Sequence, residues 1–303
     1  MQKDVHSECS PQPSGGLIRL QARATDLTNW LAPTWALLCG IVASGGFSWD
    51  GQDWVKLALL ILLVDGGWGT LWSALGATDW AAPLQRWRKS PSDDEGDNTS
   101  IAVLPYTLPN APGGRVRRVL GRLQAWWRDE ARPTYGSSLQ ALVVALPVTA
   151  LLGALLGPQL LLLSLAALAL SQLGVLWEAG RGVVPPGWDA LIAVTWPWLA
   201  GHVAFGPVTL PSAGLAALFA LSWGMAWRTK SNRGRVAAAA GQLLATASLV
   251  ALRRPFAAGA LFLLLVPQLA LLPWTQTDRP ATWYVRYTRP WLMVAMAVAA
   301  FAL

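Results

Sequence analysis

Residues 62–80 read LLVDGGWGTLWSALGATDW and set one carboxylate, Asp65, inside an apolar run long enough for a membrane helix. A charge at that depth costs about 2.5–3.5 kcal/mol on insertion scales, so it calls for a partner, water or a function. The chain around it settles the fold class. Of the 303 residues 54% are hydrophobic and 13% charged, against roughly 25% charged in soluble proteins. With 19 Trp and a formal charge of +7, the composition is that of a polytopic membrane protein. The positive charge is modest and scattered and lacks the aromatic-plus-basic motifs of an RNA binder, so no nucleic-acid partner is expected. Basic loops facing anionic lipid account for it.

About 20 apolar residues span the hydrocarbon. Nine runs approach that length, at roughly 30–49, 54–78, 138–157, 158–177, 188–206, 210–227, 235–252, 255–274 and 284–303. The expected architecture is therefore all-α. It comprises a disordered tail over residues 1–24 and a nine-helix transmembrane domain over 25–303, with one long loop at 81–137. Lys and Arg alternate between sides: Lys3, Arg19 and Arg23 precede the first run, the loops after runs two and six are the most basic, and the opposite side has Arg253 and Arg254. This alternation puts the N-terminus in the cytoplasm, and the expected location is the inner, cytoplasmic membrane. A polar, acid-bearing stretch precedes the first run and further spans follow it, which argues against a cleaved signal peptide. Tight turns are expected at Gly157-Pro158 and Arg253-Arg254-Pro255.

Trp49, Trp54, Trp80, Trp177, Trp188, Trp227, Trp274 and Trp283 fall near span ends, where indoles prefer the headgroup level. Trp196 and Trp198 fall inside spans; helix packing is expected for them, with cavity lining as the alternative. Cys9 and Cys39 are too few for a disulfide framework or a cysteine metal site. His6 and His202 are too far apart to form a metal site, and His202 reads as a core or interface residue.

The long loop opens with SPSDDEGDNTS (90–100). Its acids lack calcium-loop spacing, so a solvated segment is expected. A helix is expected to begin near Arg115. Val116, Val119, Leu120, Leu123, Trp126 and Trp127 recur at helical spacing between arginines, the pattern of an interfacial helix. Arg115, Arg117 and Arg118 anchor it to the surface or bind a diphosphate, since guanidinium matches phosphate oxygens. The loop after run six, WRTKSNRGRVAAAAGQ (227–242), gathers Arg228, Lys230, Arg233 and Arg235 within eight residues. It reads as a positive-inside anchor or as a phosphate clamp, with Gly234 leaving room for backbone to approach a ligand.

Several stretches resemble the UbiA superfamily of intramembrane prenyltransferases, especially its chlorophyll and bacteriochlorophyll synthase branch. TNWLAPTWALLCGIVASGG (28–46) is similar to that branch's first helix, YTLPNAPGGRVRR (106–118) to its Arg-Pro-Leu-Pro-Ser-Gly-Arg stretch, and GRVAAAAGQ (234–242) to the tail of its second motif. The resemblance implies nine helices and a cytoplasmic N-terminus, with functional loops after helices two and six. It also implies transfer of a prenyl group from a prenyl diphosphate to a lipophilic acceptor, chlorophyllide-like or quinone-like. The family's first motif, N-D-x-x-D-x-x-x-D, holds Mg²⁺ against the diphosphate; here the same frame reads Val64, Asp65, Trp68 and Trp72. The acids of the second motif fall on Ala226 and Lys230.

On this frame Asp65 is the one remaining catalytic acid, and a single carboxylate is a poor Mg²⁺ site. Arg115, Arg117, Arg118, Lys230, Arg233 and Arg235 are the diphosphate-binding candidates, and Trp68 and Trp72 the cavity lining. The structural alternative for Asp65 is a bond to Thr70, Ser73, a backbone amide or an Arg of another helix. Lys230 is expected to pair with Asp65 or to replace a metal charge. The expected partners are membrane lipids, a prenyl diphosphate, a hydrophobic aromatic or pigment acceptor, and other membrane proteins. Two further function classes remain: a non-catalytic protein that binds an isoprenoid, quinone or pigment or serves in membrane assembly, and a transporter with spans broken at Pro147, Pro197 and Pro267. Against the transporter, Asp65 reads as the sole ionisable group within the spans on the cytoplasmic half. An echo of the CDP-alcohol phosphotransferases at Asp65-Gly66, Gly76 and Asp79 lacks that family's Ala-Arg pair and second acid pair.

Overall fold

The computed structural model describes residues 27–76, 120–121, 123–124, 126–128, 132–181, 188–276 and 281–303. The tail at 1–24, the acidic stretch at 90–100, and Arg115, Arg117 and Arg118 lie outside them. Every regular element among the described residues is helical. In chain order these are α1 (Leu27–Ser44) and α2 (Gly51–Ile61), the latter running through a π-helical turn (Leu62–Trp68) into α3 (Gly69–Gly76). Next come α4 (Arg132–Leu156) and α5 (Pro158–Arg181), then a second π-helical stretch (Leu191–Thr195) leading into α6 (Trp196–Phe205). The chain ends with α7 (Leu210–Ala226), α8 (Asn232–Ala251), α9 (Pro255–Leu271) and α10 (Ala281–Ala302). Residues 120–121, 123–124 and 126–128 are also helical, within the expected interfacial segment.

Among the described residues four helices are long and apolar enough to cross a membrane: Gly51–Trp72, Ser138–Leu156, Asn232–Ala251 and Pro255–Thr275. Shorter apolar helices cover Pro33–Ser44, Pro158–Gly174, Leu191–Phe205 and Leu210–Ala226. The chain is an integral membrane protein. Its tight turns follow local chemistry. Gly157 takes φ +125°, open to glycine alone at low cost, and Pro158 then starts α5 at a position that needs no amide donor. Arg253 adopts φ +60° before Pro255 opens α9.

The helices form two packed halves that share α1 and α6. One core joins Ala36, Cys39 and Ala43 of α1 to Trp198, Phe219, Leu249, Leu261 and Leu292. The other joins Leu37 and Ile41 of α1 to Leu60, Leu63, Trp68, Leu152, Leu160 and Ala200. Successive faces of α1 thus serve both cores, and α6 does the same through Trp198 and Ala200. The two backbones nearly touch: a Cβ at Gly40 would collide with the Trp198 carbonyl, and one at Gly201 with the Leu37 carbonyl.

Four indoles tie helices together through N–H bonds. Trp35 donates to the Met293 carbonyl (2.9 Å), Trp68 to Ser164 Oγ (3.1 Å), Trp196 to the Leu163 carbonyl (3.0 Å) and Trp198 to Ser212 Oγ (2.9 Å). Trp198 is fully buried and stacks on Phe219, so it belongs to the core. His202 is also a core residue, its ring bonded between Ser212 Oγ (3.0 Å) and the Pro207 carbonyl (2.9 Å). With no water among the tails to satisfy a buried N–H, each indole bond fixes a helix pair.

Where α1 turns into α2, Phe47, Trp49, Trp54 and Phe205 form an edge-to-face ring cluster. Lys56 donates to the Ala204 carbonyl and stands 4.7 Å over the Phe205 ring, capping the C-terminal end of α6 from α2.

Gly201→Ala and Gly40→Ala are each expected to cost about 1–3 kcal/mol through forced separation of α1 and α6. Gly214→Ala, in α7 where a Cβ meets nothing within 4 Å, is expected to be neutral or stabilising by about 0.5–1 kcal/mol. Thermal unfolding in detergent, followed by tryptophan fluorescence, measures all three.

Candidate functional site

Asp65 sits within the π-helical turn and is 4% exposed. The wide turn needs room. Gly66 and Gly67 follow the acid directly, and Gly67 lies so close to α4 that a Cβ there would stand 2.7 Å from Thr149 Oγ1. Turns of this kind recur at functional sites in helical proteins. Asp65 makes at least one interaction within the chain. Beside it a small cleft of about 30 Å³ lies between Gly66, Gly67 and Thr70 on one wall and Val144, Ala145 and Val148 on the other. That space suits a methylene group or one small molecule the size of water.

Trp68, at the place of the second motif acid, faces elsewhere. It is 6% exposed, packs in the core with Leu160 and Leu63, and spends its N–H on Ser164. Trp72 is partly buried one turn further along. Neither tryptophan lines the cleft.

The basic turn is a built structure. Ser231 caps α8 by accepting from the Gly234 amide (3.0 Å), and its own hydroxyl and amide both donate to the Arg228 carbonyl (3.0 Å). Thr275 Oγ1 donates to the Leu272 carbonyl (2.7 Å) and lies 3.3 Å from the Thr229 carbonyl, which sets the turn against the 3-10 turn Leu272–Gln276 that follows α9. Lys230 and Arg233 are exposed, and Arg235 is half-buried with Nη2 donating to Asn232 Oδ1 (3.3 Å). The N-terminal amides of a 20-residue helix and two exposed cations therefore share one rigid corner. The space Gly234 leaves is filled by the Arg228 carbonyl and is not open to a ligand.

The donor set for Mg²⁺ is thin. No group of three or more His, Cys, Asp or Glu among the described residues is placed to hold a metal ion. Asp65 with Trp68 and Lys230 at motif positions does not fit a hard cation that wants several oxygens.

Two features escaped the sequence reading. Gln242 of α8 and Gln268 of α9 form a buried reciprocal amide pair (2.7 and 3.0 Å), and the Tyr284 hydroxyl donates to the Gln268 carbonyl (3.3 Å). Glutamines among alanines and leucines give no signal until their helices are set side by side. The second is Arg289. Asp65 is not the sole buried ionisable group within the helices, because Arg289 of α10 is 5% exposed with its guanidinium 4.7 Å over the Trp223 ring.

Compared with known proteins, the chain is 25% identical over 204 residues to the bacteriochlorophyll synthase 34 kDa chain of Chloroflexus aurantiacus. The match takes in 64% of this chain and 52% of that relative, so the chain spans about half the relative's length. The likeness supports a UbiA-like relationship. No family model matches the chain, and no solved structure matches it.

Gln242→Ala is expected to destabilise by about 1–3 kcal/mol, because it takes the donor from the Gln268 side-chain carbonyl in an apolar setting. Replacing both glutamines by Leu recovers most of that loss. Thermal unfolding of the two variants decides it; equal losses would break the paired geometry of α8 and α9.

Proposed function

We propose that the protein is a divergent UbiA-like integral membrane prenyltransferase homologue that takes up a prenyl diphosphate. The observation that carries this reading is the basic corner at Arg228–Arg235. It presents Lys230 and Arg233 beside helix amides in the loop after the sixth apolar run, where the resemblance sets a functional loop. Nine crossings, a cytoplasmic N-terminus and a cytoplasmic-membrane location belong to the same reading. The likeness to a bacteriochlorophyll synthase chain supports it.

In the active form a prenyl group passes from the diphosphate to a chlorophyllide-like or quinone-like acceptor. Lys230, Arg233 and Arg115 hold the diphosphate, with Arg117, Arg118 and Arg235 beside them, and Asp65 is the remaining acid of the first motif. The second reading is a non-catalytic protein that binds an isoprenoid, quinone or pigment, or an assembly subunit. One observation favours it: Trp68, in the frame position of a metal-binding acid, is a core indole bonded to Ser164.

The test is mass spectrometry of lipids and pigments that copurify in detergent, followed by incubation with geranylgeranyl diphosphate with and without Mg²⁺. Release of diphosphate, with or without Mg²⁺, is the outcome of the active form. A retained isoprenoid or pigment without turnover is the outcome of the binding form. No retained ligand and no turnover would sink both. Asp65→Asn is expected to weaken ligand binding about tenfold at unchanged melting temperature; a lower melting temperature with unchanged binding would make Asp65 purely structural.

A further inference from the structure

One aromatic group plays no part in that function. In the turn from α1 to α2 the Phe47 ring meets Trp49 at 5.1 Å between centroids and 86° between planes, and Trp54 at 5.6 Å and 89°. The two indoles stand 5.8 Å apart at 65°. Three steeply inclined planes make a corner, and its indole walls are open, with Trp49 72% and Trp54 50% exposed. The corner is pinned to the end of α6: a Cβ at Gly46 would collide with the Phe205 carbonyl, and the Phe47 and Phe205 rings lie 5.3 Å apart. Since α7 leads from that end to the basic turn, the corner and the basic turn lie at opposite ends of the bundle.

Two observations set this corner apart from an ordinary interfacial indole. Trp49 has φ +64°, a left-handed conformation that bulky side chains rarely adopt and that persists only where the surroundings enforce it. Asp53 enforces it, taking the Ser48 amide (2.6 Å) and hydroxyl (2.7 Å) on Oδ2, while Asp50 Oδ1 accepts the Asp53 amide (2.8 Å) at the start of α2. The second observation is charge. Asp50 is exposed and directly follows Trp49, whereas Lys56 is spent on the Ala204 carbonyl and the Phe205 ring. Indole faces and a carboxylate both attract an ammonium group, and clustered aromatic faces are a recurrent receptor for it. At the headgroup level of a bilayer, lipid carries that group. Along α2 from the corner Val55, Ala58 and Leu62 are exposed at helical spacing, a stripe about 10 Å long that an acyl chain can follow.

We propose that the corner of Phe47, Trp49 and Trp54, with the Asp50 carboxylate beside it, binds the ammonium head of a zwitterionic phospholipid. The indole faces take the ammonium, Asp50 supplies the opposite charge, and the strained turn holds Trp49 in place. This proposal does not depend on the prenyl diphosphate reading, whose cations lie at the other end of the bundle.

The experiment titrates the delipidated full chain in detergent with dioleoyl phosphatidylcholine, dioleoyl phosphatidylethanolamine and dioleoyl phosphatidylglycerol, reading bound lipid by native mass spectrometry. At least one of the two ammonium heads is expected to bind about fivefold or more tightly than the glycerol head. Trp49→Leu and Asp50→Asn are each expected to remove most of that preference, and Trp49→Phe to keep part of it. Trp49→Gly, which suits the positive φ, is expected to lose the preference with no fall in melting temperature, separating lipid recognition from folding. Trp274→Leu, which alters an exposed indole at the opposite end, is expected to leave the preference intact. The proposal is overturned by equal binding of the three lipids, by a preference for the glycerol head, or by an ammonium preference that survives both Trp49→Leu and Asp50→Asn. A dimer in the same spectra that Trp49→Leu dissolves would also overturn it and make the corner a contact between copies of this chain.

Discussion

The near contact of α1 and α6 is the constraint on which the rest of the structure depends. Two glycines, Gly40 and Gly201, let the backbones approach until each would collide with a Cβ on the other. Because lipid tails are as apolar as leucine, helices in a membrane gain little from burying apolar surface, and close packing must supply the association. The α1–α6 pair is shared by both cores, so its separation fixes where α2 to α5 stand on one side and α7 to α10 on the other. The indole bonds of Trp35, Trp196 and Trp198 then hold flanking helices to this pair.

This frame positions the candidate site through two local departures from a regular helix. The π-helical turn at Leu62–Trp68 widens around Asp65 because Gly66 and Gly67 permit it and α4 closes against it. The turn before α8 is fixed by Ser231 and rests against the 3-10 turn, so its cations project from a built corner. Side chains of the metal-binding type are scarce at both places. Aromatic and cationic residues stand instead, so on the proposed reading a diphosphate would be held by direct charge pairing and not through a metal.

The all-helical architecture and its turns were legible in the sequence because apolar runs and glycine-proline turns are local signals. Gly157-Pro158 and Arg253-Arg254-Pro255 turn where their chemistry requires, and Asp65 stands out as one acid in an apolar run. What stayed hidden depends on contacts between distant segments. The sequence assigned Trp68 to a cavity; its N–H meets Ser164 of another helix, 96 positions away. Gln242 and Gln268 pair across 26 positions, and Arg289 finds its ring on α7. The π-helical turn was also hidden, since LLVDGGW suits an ordinary helix and the widening is imposed by packing.

The central claim is that the corner before α8 recognises a diphosphate by charge alone. The most direct measurement is calorimetric binding of geranylgeranyl diphosphate, without divalent metal, to the wild-type chain and to the Lys230→Ala, Arg233→Ala variant at low and high salt. The account predicts wild-type binding that weakens with salt and falls by about tenfold or more in the variant. Equal affinity in the two proteins, or binding indifferent to salt, would contradict it.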